Sequence, residues 1–128
     1  MVEKERKGNP QHEGDEAASE YLVVFVTAAT VEEAERIAQA LVGERLAACV
    51  SVVPNVGSCY RWQGELCTDQ EALLIIKTRA ALFDAVAAKV RQLHSYQVPE
   101  ILALPVSRGA ESYLRWLAEE TRRNEDRG

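Results

Sequence analysis

The heptapeptide HSYQVPE, residues 94–100, carries two potential metal ligands on either side of a proline. A neutral imidazole binds copper, zinc or nickel, and a carboxylate adds an oxygen ligand. His94 and Glu100 are therefore the best candidate ligand pair in the chain. Two protein ligands make only a weak site, so we expect a third group, either Cys49 or a residue of a neighbouring subunit.

The same heptapeptide also has an ordinary structural explanation. His94 would follow a helix, where the helix dipole favours a cationic side chain, and Glu100 would then pair with a lysine or an arginine. Pro99 fixes its own φ and biases Val98 away from the helical region. The chain must turn here in either case, so a metal site and a plain loop both stay open at this point.

Four further residues, three aromatic and one cationic, are candidates for binding a ligand. Tyr60 and Trp62 lie two positions apart, so on a strand they share one face. They could stack a ring-shaped ligand, but interface packing is favoured because aromatic residues are enriched in interface cores. Tyr96 and Lys77 are candidates for lining a ligand cleft, with Lys77 meeting an anion, unless its charge is simply solvated.

The cysteines give little support to catalysis or to structural zinc. Cys49, Cys59 and Cys67 form no CxxC pair, which zinc frameworks use, so reduced thiols are expected. A cysteine nucleophile needs a base within hydrogen-bond reach, and the sequence does not bring His94 to Cys49. The chain also has no glycine-rich phosphate cradle. We therefore predict a protein that is not an enzyme.

Length and charge restrict the class of protein further. The 128 residues favour one domain, and a net charge of -5 argues against a nucleic-acid partner. No apolar run reaches the ~18 residues of a membrane span, and the first residues lack an apolar leader, so a cytoplasmic location is expected. We predict that residues 1–20 form a disordered tail. Residues 21–123 are expected to form the folded domain, and residues 124–128 a C-terminal tail.

The periodicity of apolar residues predicts the elements that must position these groups. The first strand is a continuous apolar run and should be buried on both faces. Thr30 and Glu33 match a capping box for a helix that ends near Gly43. A second strand is expected to break at Pro54, resume, and turn at Gln63 and Gly64 into a third strand. A helix, a strand and a C-terminal helix follow. This β-α-β-β-α-β order predicts an α+β, ferredoxin-like fold.

The long β-hairpin is the feature that does not suit a monomer. Each arm has about 14 residues, or about 45 Å, whereas each covering helix of about 15 residues spans only about 22 Å. The distal arms carry the apolar residues Val56, Tyr60, Trp62 and Leu66. Exposed apolar strands tend to associate, and a closed ring of copies would cover them.

Several motifs in the same order resemble the CutA family of divalent-cation tolerance proteins. They are LAACVSVVPNVGSCYRWQGEL, ALLIIKT, HSYQVPEI and YLRWL, and the resemblance runs from Tyr21 to Arg122. It implies a ferredoxin-like homotrimer, similar in architecture to the PII signalling proteins and joined through the long hairpin. It also implies a role in tolerance of copper and other divalent metals, with no established catalytic reaction.

The chain departs from the family pattern at three positions. Ser95 stands where the family often has proline, and Ala29 stands where a proline is common. Val26 occupies the place of a cysteine that some members carry as a proposed metal ligand. Two other functions stay open: a PII-like sensor of a small anionic metabolite, and a structural trimer that scaffolds a partner protein.

Overall fold

A computed structural model describes residues 19–123 of the chain. The predicted terminal tails therefore lie outside the described residues, apart from Ser19 and Glu20. A short 3₁₀ turn, Ala80–Leu82, precedes the second helix. The strands and helices, in chain order, are β1 Tyr21–Ala28, α1 Val31–Gly43, β2 Cys49–Trp62, β3 Glu65–Arg79, α2 Phe83–Leu93, β4 Ile101–Pro105 and α3 Glu111–Glu120.

The four strands form one antiparallel sheet in the order β2-β3-β1-β4. Side chains alternate between the two faces of a strand. On β3, Leu74 and Ile76 are fully buried against the helices, whereas Leu73 and Ile75 point to the other face and are half-buried. The predicted α+β, ferredoxin-like fold is confirmed.

β1 is buried more completely on one face than on the other. Val24 and Val26 are 0% exposed and belong to the core, whereas Val23 and Phe25 on the opposite face stay half-buried. The prediction that this strand is buried on both faces is therefore wrong for the single chain. The less buried side of the sheet carries Val23, Phe25, Leu73 and Ile75.

Local sequence signals explain why α1 begins and ends where it does. The Thr30 side chain accepts a hydrogen bond from the Glu33 amide at 3.1 Å, as the capping box predicts. Ile37 and Leu41, at helical spacing, bury fully against the sheet. The helix ends at Gly43, and the left-handed φ of 60° at Arg45 turns the chain towards β2.

β2 passes Pro54 without breaking, contrary to prediction. The pairing register with β3 shifts between Val53 and Val56, and Asn55 adopts a φ of 61°. This shift takes up the extra residues as a bulge. A proline is tolerated here because β2 is an edge strand and its outer side needs no donor. Both arms thus form one uninterrupted hairpin.

The part of this hairpin beyond Ala72 projects past the end of β1. Tyr60 is 40%, Trp62 48% and Leu66 68% exposed, and Val56 is half-buried. Val56, Tyr60 and Trp62 share one side of β2, whereas Leu66 of β3 pairs with Arg61 on the opposite side. Their proposed role in an interface stays a prediction.

α3 is attached to one end of the sheet. Leu117 and Thr121 are buried, and the Arg79 guanidinium donates to the Thr121 hydroxyl at 2.8 Å and to its carbonyl at 2.7 Å. Within residues 19–123, no helix has both the length and the apolar character required to span a bilayer.

Candidate functional site

His94 lies at the C-cap of α2, and its imidazole is turned into the protein. The side chain is fully buried, and Nε2 lies 2.6 Å from the carbonyl oxygen of Thr27 at the end of β1. The Tyr96 amide donates to Nδ1 at 3.0 Å. Because a carbonyl can only accept, Nε2 carries the proton and Nδ1 is the acceptor. Both ring nitrogens are therefore engaged by the protein rather than free for a metal.

Glu33 contacts the same loop from the first turn of α1. The residue is only 4% exposed. Its carboxylate accepts hydrogen bonds from the Ser95 amide at 2.7 Å and from the Ser95 hydroxyl at 2.9 Å. Glu33 Oε2 also lies 3.4 Å from His94 Nδ1. The acid of the predicted capping box thus bonds to the loop after α2.

Tyr96 connects this loop to the hairpin at the point where the hairpin passes the end of β1. We call this part, residues 58–60 with Glu71, the hairpin base. Its ring lies 4.8 Å from the His94 ring between centroids, and its hydroxyl donates to Glu71 Oε2 at 2.7 Å. Burial, followed by this hydrogen bond and the Glu71 charge, raises the pKa of the Tyr96 phenol well above its usual value. Glu71 is itself only 8% exposed, so the pair fixes the loop against β3.

In the part of the chain that the structure describes, the carboxylate within ion-pair distance of the His94 imidazole is that of Glu33, and Glu100 is not bonded to it. Glu100 lines a cavity of about 350 Å³ at the hairpin base, together with Thr27, Ser58, Cys59, Tyr60 and Glu71. On its hairpin side, the Tyr60 hydroxyl donates to the Asp69 carboxylate, and this hydrogen bond is the main cause that raises the pKa of Tyr60 to about 12. Glu71 and Glu100 give the cavity a carboxylate-rich lining.

Cys49 and Lys77 lie towards the other end of the sheet. They are cross-strand partners, and Lys77 is opposite Val23 of β1. Val23 precedes Thr27, the residue bonded to His94, by about 13 Å of strand. Lys77 Nζ donates to Ser51 Oγ at 2.9 Å. One chain therefore does not bring Cys49 to His94 or Lys77 to Tyr96.

A complete metal site is absent from the single chain as far as it is described. Among residues 19–123, no group of three or more histidine, cysteine, aspartate or glutamate residues is arranged to hold a metal ion. Of the three predicted ligands, Glu100 lines a cavity with a second acid, Glu71. The single chain therefore offers two of the ligands that a divalent ion needs, and further ligands would have to come from another copy.

Sequence reasoning missed Glu71 and the destination of the Glu33 carboxylate. One signal for Glu71 was its position immediately before the apolar run ALLII, where an acid at a core boundary calls for a hydrogen-bond partner. No comparable signal existed for Glu33, because its local capping pattern explained it without any contact to Ser95 across the fold.

Comparison with known proteins identifies a family. Residues 22–120 match the family model described as "CutA1 divalent ion tolerance protein". The divalent-cation tolerance protein CutA of Thermus thermophilus is 52% identical over 99 residues, which cover 77% of this chain and 96% of that protein. The chloroplastic protein CutA 1 of Oryza sativa is 48% identical over 79% of this chain but only 57% of its own length.

Solved structures show the same similarity. The Thermus thermophilus divalent cation tolerance protein superposes with a TM-score of 0.78 at 51% identity, covering 80% of this chain and 99% of that one. CutA of Xylella fastidiosa superposes with a TM-score of 0.79 at 42% identity, covering 81% of this chain and 100% of that one. The described domain is therefore similar to these proteins in both sequence and fold.

Proposed function

Because the chain belongs to the CutA1 family of divalent ion tolerance proteins, we propose that it serves in divalent-cation tolerance as a homotrimer that binds the metal without transforming a substrate. The observation that carries this proposal is the carboxylate pair Glu71 and Glu100 in the cavity at the base of an exposed hairpin. Carboxylate oxygens are suitable ligands for divalent ions.

Unpaired strands at both edges of the sheet support assembly into a ring. β2 and β4 are the edge strands of the described sheet, and edge strands expose unpaired N–H and C=O groups. Pairing β2 of one copy with β4 of the next is a head-to-tail contact, which gives a closed ring when the rotation between copies brings the last copy back to the first. Leu102 of β4 is 58% and Leu104 47% exposed, so the same contact would also cover apolar side chains.

The trimer also supplies what the single chain lacks at the metal site. Glu71 and Glu100 provide two oxygen ligands, and the hairpin of a neighbouring copy would bring the remainder. Copper is the foremost candidate, following the resemblance to the family. His94 and Cys49 are not part of the proposed site, because the imidazole nitrogens are engaged and Cys49 lies towards the other end of the sheet.

Copper titration by calorimetry tests this proposal. Glu100→Gln keeps the size of the side chain and removes its charge, so binding should weaken at least about tenfold, which is ~1.4 kcal/mol. Cys49→Ser is the matched control and should bind as wild type does. Equal affinities for wild type and Glu100→Gln would contradict the proposed site.

The rival functions predict other outcomes in the same instrument. Heat on titration with a nucleotide or another small anion, and none with copper, would favour the metabolite sensor. Absence of binding to either would favour the scaffolding trimer. The cytoplasmic location stays a prediction, to be checked by fractionating cells that express the full chain.

A further inference from the structure

We propose that His94 is a proton-operated switch that controls how the loop of residues 95–100 is attached to the hairpin base. The imidazole is fully buried and has three protein groups around its nitrogens. Thr27 O is 2.6 Å from Nε2, the Tyr96 amide nitrogen is 3.0 Å from Nδ1, and Glu33 Oε2 is 3.4 Å from Nδ1. The inference does not depend on metal binding.

The neutral imidazole satisfies only one of the two groups that face Nδ1. As an acceptor, Nδ1 bonds to the Tyr96 amide, and the Glu33 carboxylate then has no proton to accept from it. Protonation of Nδ1 reverses this choice. Two N–H donors would then face each other across the 3.0 Å between Nδ1 and the Tyr96 nitrogen, whereas a cationic imidazole beside the Glu33 carboxylate forms a charge-assisted hydrogen bond.

The exchange reaches the hairpin because Tyr96 has contacts at both ends. Its amide bonds to His94 and its hydroxyl bonds to Glu71 of β3. Release of the amide frees the backbone that holds the phenol in place. A proton taken up at His94 thus loosens the attachment of the loop to the hairpin base.

The charged and titratable groups around the imidazole favour this response. Glu33 faces it from α1, Thr27 contributes only a carbonyl from β1, and the tilted ring of Tyr96 lies against it from the loop. From β3, Glu71 is bonded to the Tyr96 hydroxyl, with Asp69 and Tyr60 beyond it. Glu100 lines the adjoining cavity.

NMR of the full chain measures both halves of the switch. Ring nitrogen shifts should show the Nε2–H tautomer of His94 at pH 8 and the imidazolium at pH 5. Over the same interval, the hydrogen-exchange protection factor of the Tyr96 amide, corrected for intrinsic exchange, should fall at least about tenfold. An imidazole that stays neutral at pH 5, or one that protonates without this fall, overturns the proposal on the wild-type protein alone.

Three variants identify the groups involved. In His94→Gln, the side-chain oxygen and amide can replace Nδ1 and Nε2, so protection of the Tyr96 amide should no longer depend on pH. In Glu33→Gln the fall should shrink, because the imidazolium loses its anionic partner. His12→Ala removes the only other histidine and should behave as wild type. A fall that persists in His94→Gln would refute the switch.

Discussion

The Ser95 amide and the Glu33 carboxylate lie 2.7 Å apart, although the two residues are separated by 62 positions in the chain. This bond joins the first turn of α1 to the loop after α2. A proline at this position would have no amide hydrogen to donate. Ser95 therefore satisfies a buried carboxylate with a bond that proline could not make.

Ser95→Pro should destabilise the protein. The substitution removes the amide donor and the hydroxyl donor together, which leaves the buried Glu33 carboxylate short of partners and costs about 1–3 kcal/mol. Ser95→Ala is the matched control, since it keeps the amide and should cost about 1 kcal/mol or less. Urea denaturation at one protein concentration gives both values. A Ser95→Pro protein as stable as Ser95→Ala would show that the amide bond contributes nothing.

Assembly should depend on the exposed aromatic residues of the hairpin. Light scattering after gel filtration should give a mass about three times 14.2 kDa for the wild type. Trp62→Glu should lower this mass, because a trimer would bury the new charge without a partner. Val42→Glu is the control: Val42 is similarly exposed, 42% against 48%, but lies on α1. A wild-type mass of one chain at micromolar concentration would refute the trimer.

The sequence predicts the elements of this protein well because their signals are local. Apolar periodicity and the Thr30 cap placed α1 correctly, and Gln63-Gly64 placed the hairpin turn. The site was predicted less well, because its contacts join distant segments. Nothing in the heptapeptide indicates that the His94 ring points inward to Thr27 while Glu100 lines a cavity. Pro54 did not end β2 as predicted, because an edge strand can accommodate a proline in a bulge.

The hairpin turn offers a sharp test of local backbone strain. Gln63 has a φ of 53° and Gly64 a φ of 83°, as in a type I′ turn, which favours Asn-Gly. Gln63→Asn should therefore stabilise the fold by about 0.5 kcal/mol, and Gly64→Ala should cost about 1 kcal/mol. Gly57→Ala is the control in the same hairpin, because an added Cβ meets nothing within 4 Å and its φ is not left-handed. Thermal unfolding of the three variants measures the order of stability.

Alkaline pH should weaken the attachment of the loop to β3. Burial and the Glu71 bond raise the pKa of the Tyr96 phenol above its usual value of about 10. A group whose folded pKa is raised stabilises the native state below the unfolded pKa, and this contribution is lost as pH rises towards the folded pKa. The free energy of unfolding should therefore fall as pH rises above about 10, and Tyr96→Phe should show a smaller fall.

At pH 8, Tyr96→Phe should cost about 1–2 kcal/mol, because it removes the donor to the buried Glu71. Tyr60→Phe is the control that separates the contribution of Tyr96 from that of the second phenol, Tyr60, whose pKa is raised to about 12 by its hydrogen bond to Asp69. Denaturant titrations from pH 8 to pH 11 give the curves, and identical slopes for wild type and Tyr96→Phe would refute the assignment to Tyr96.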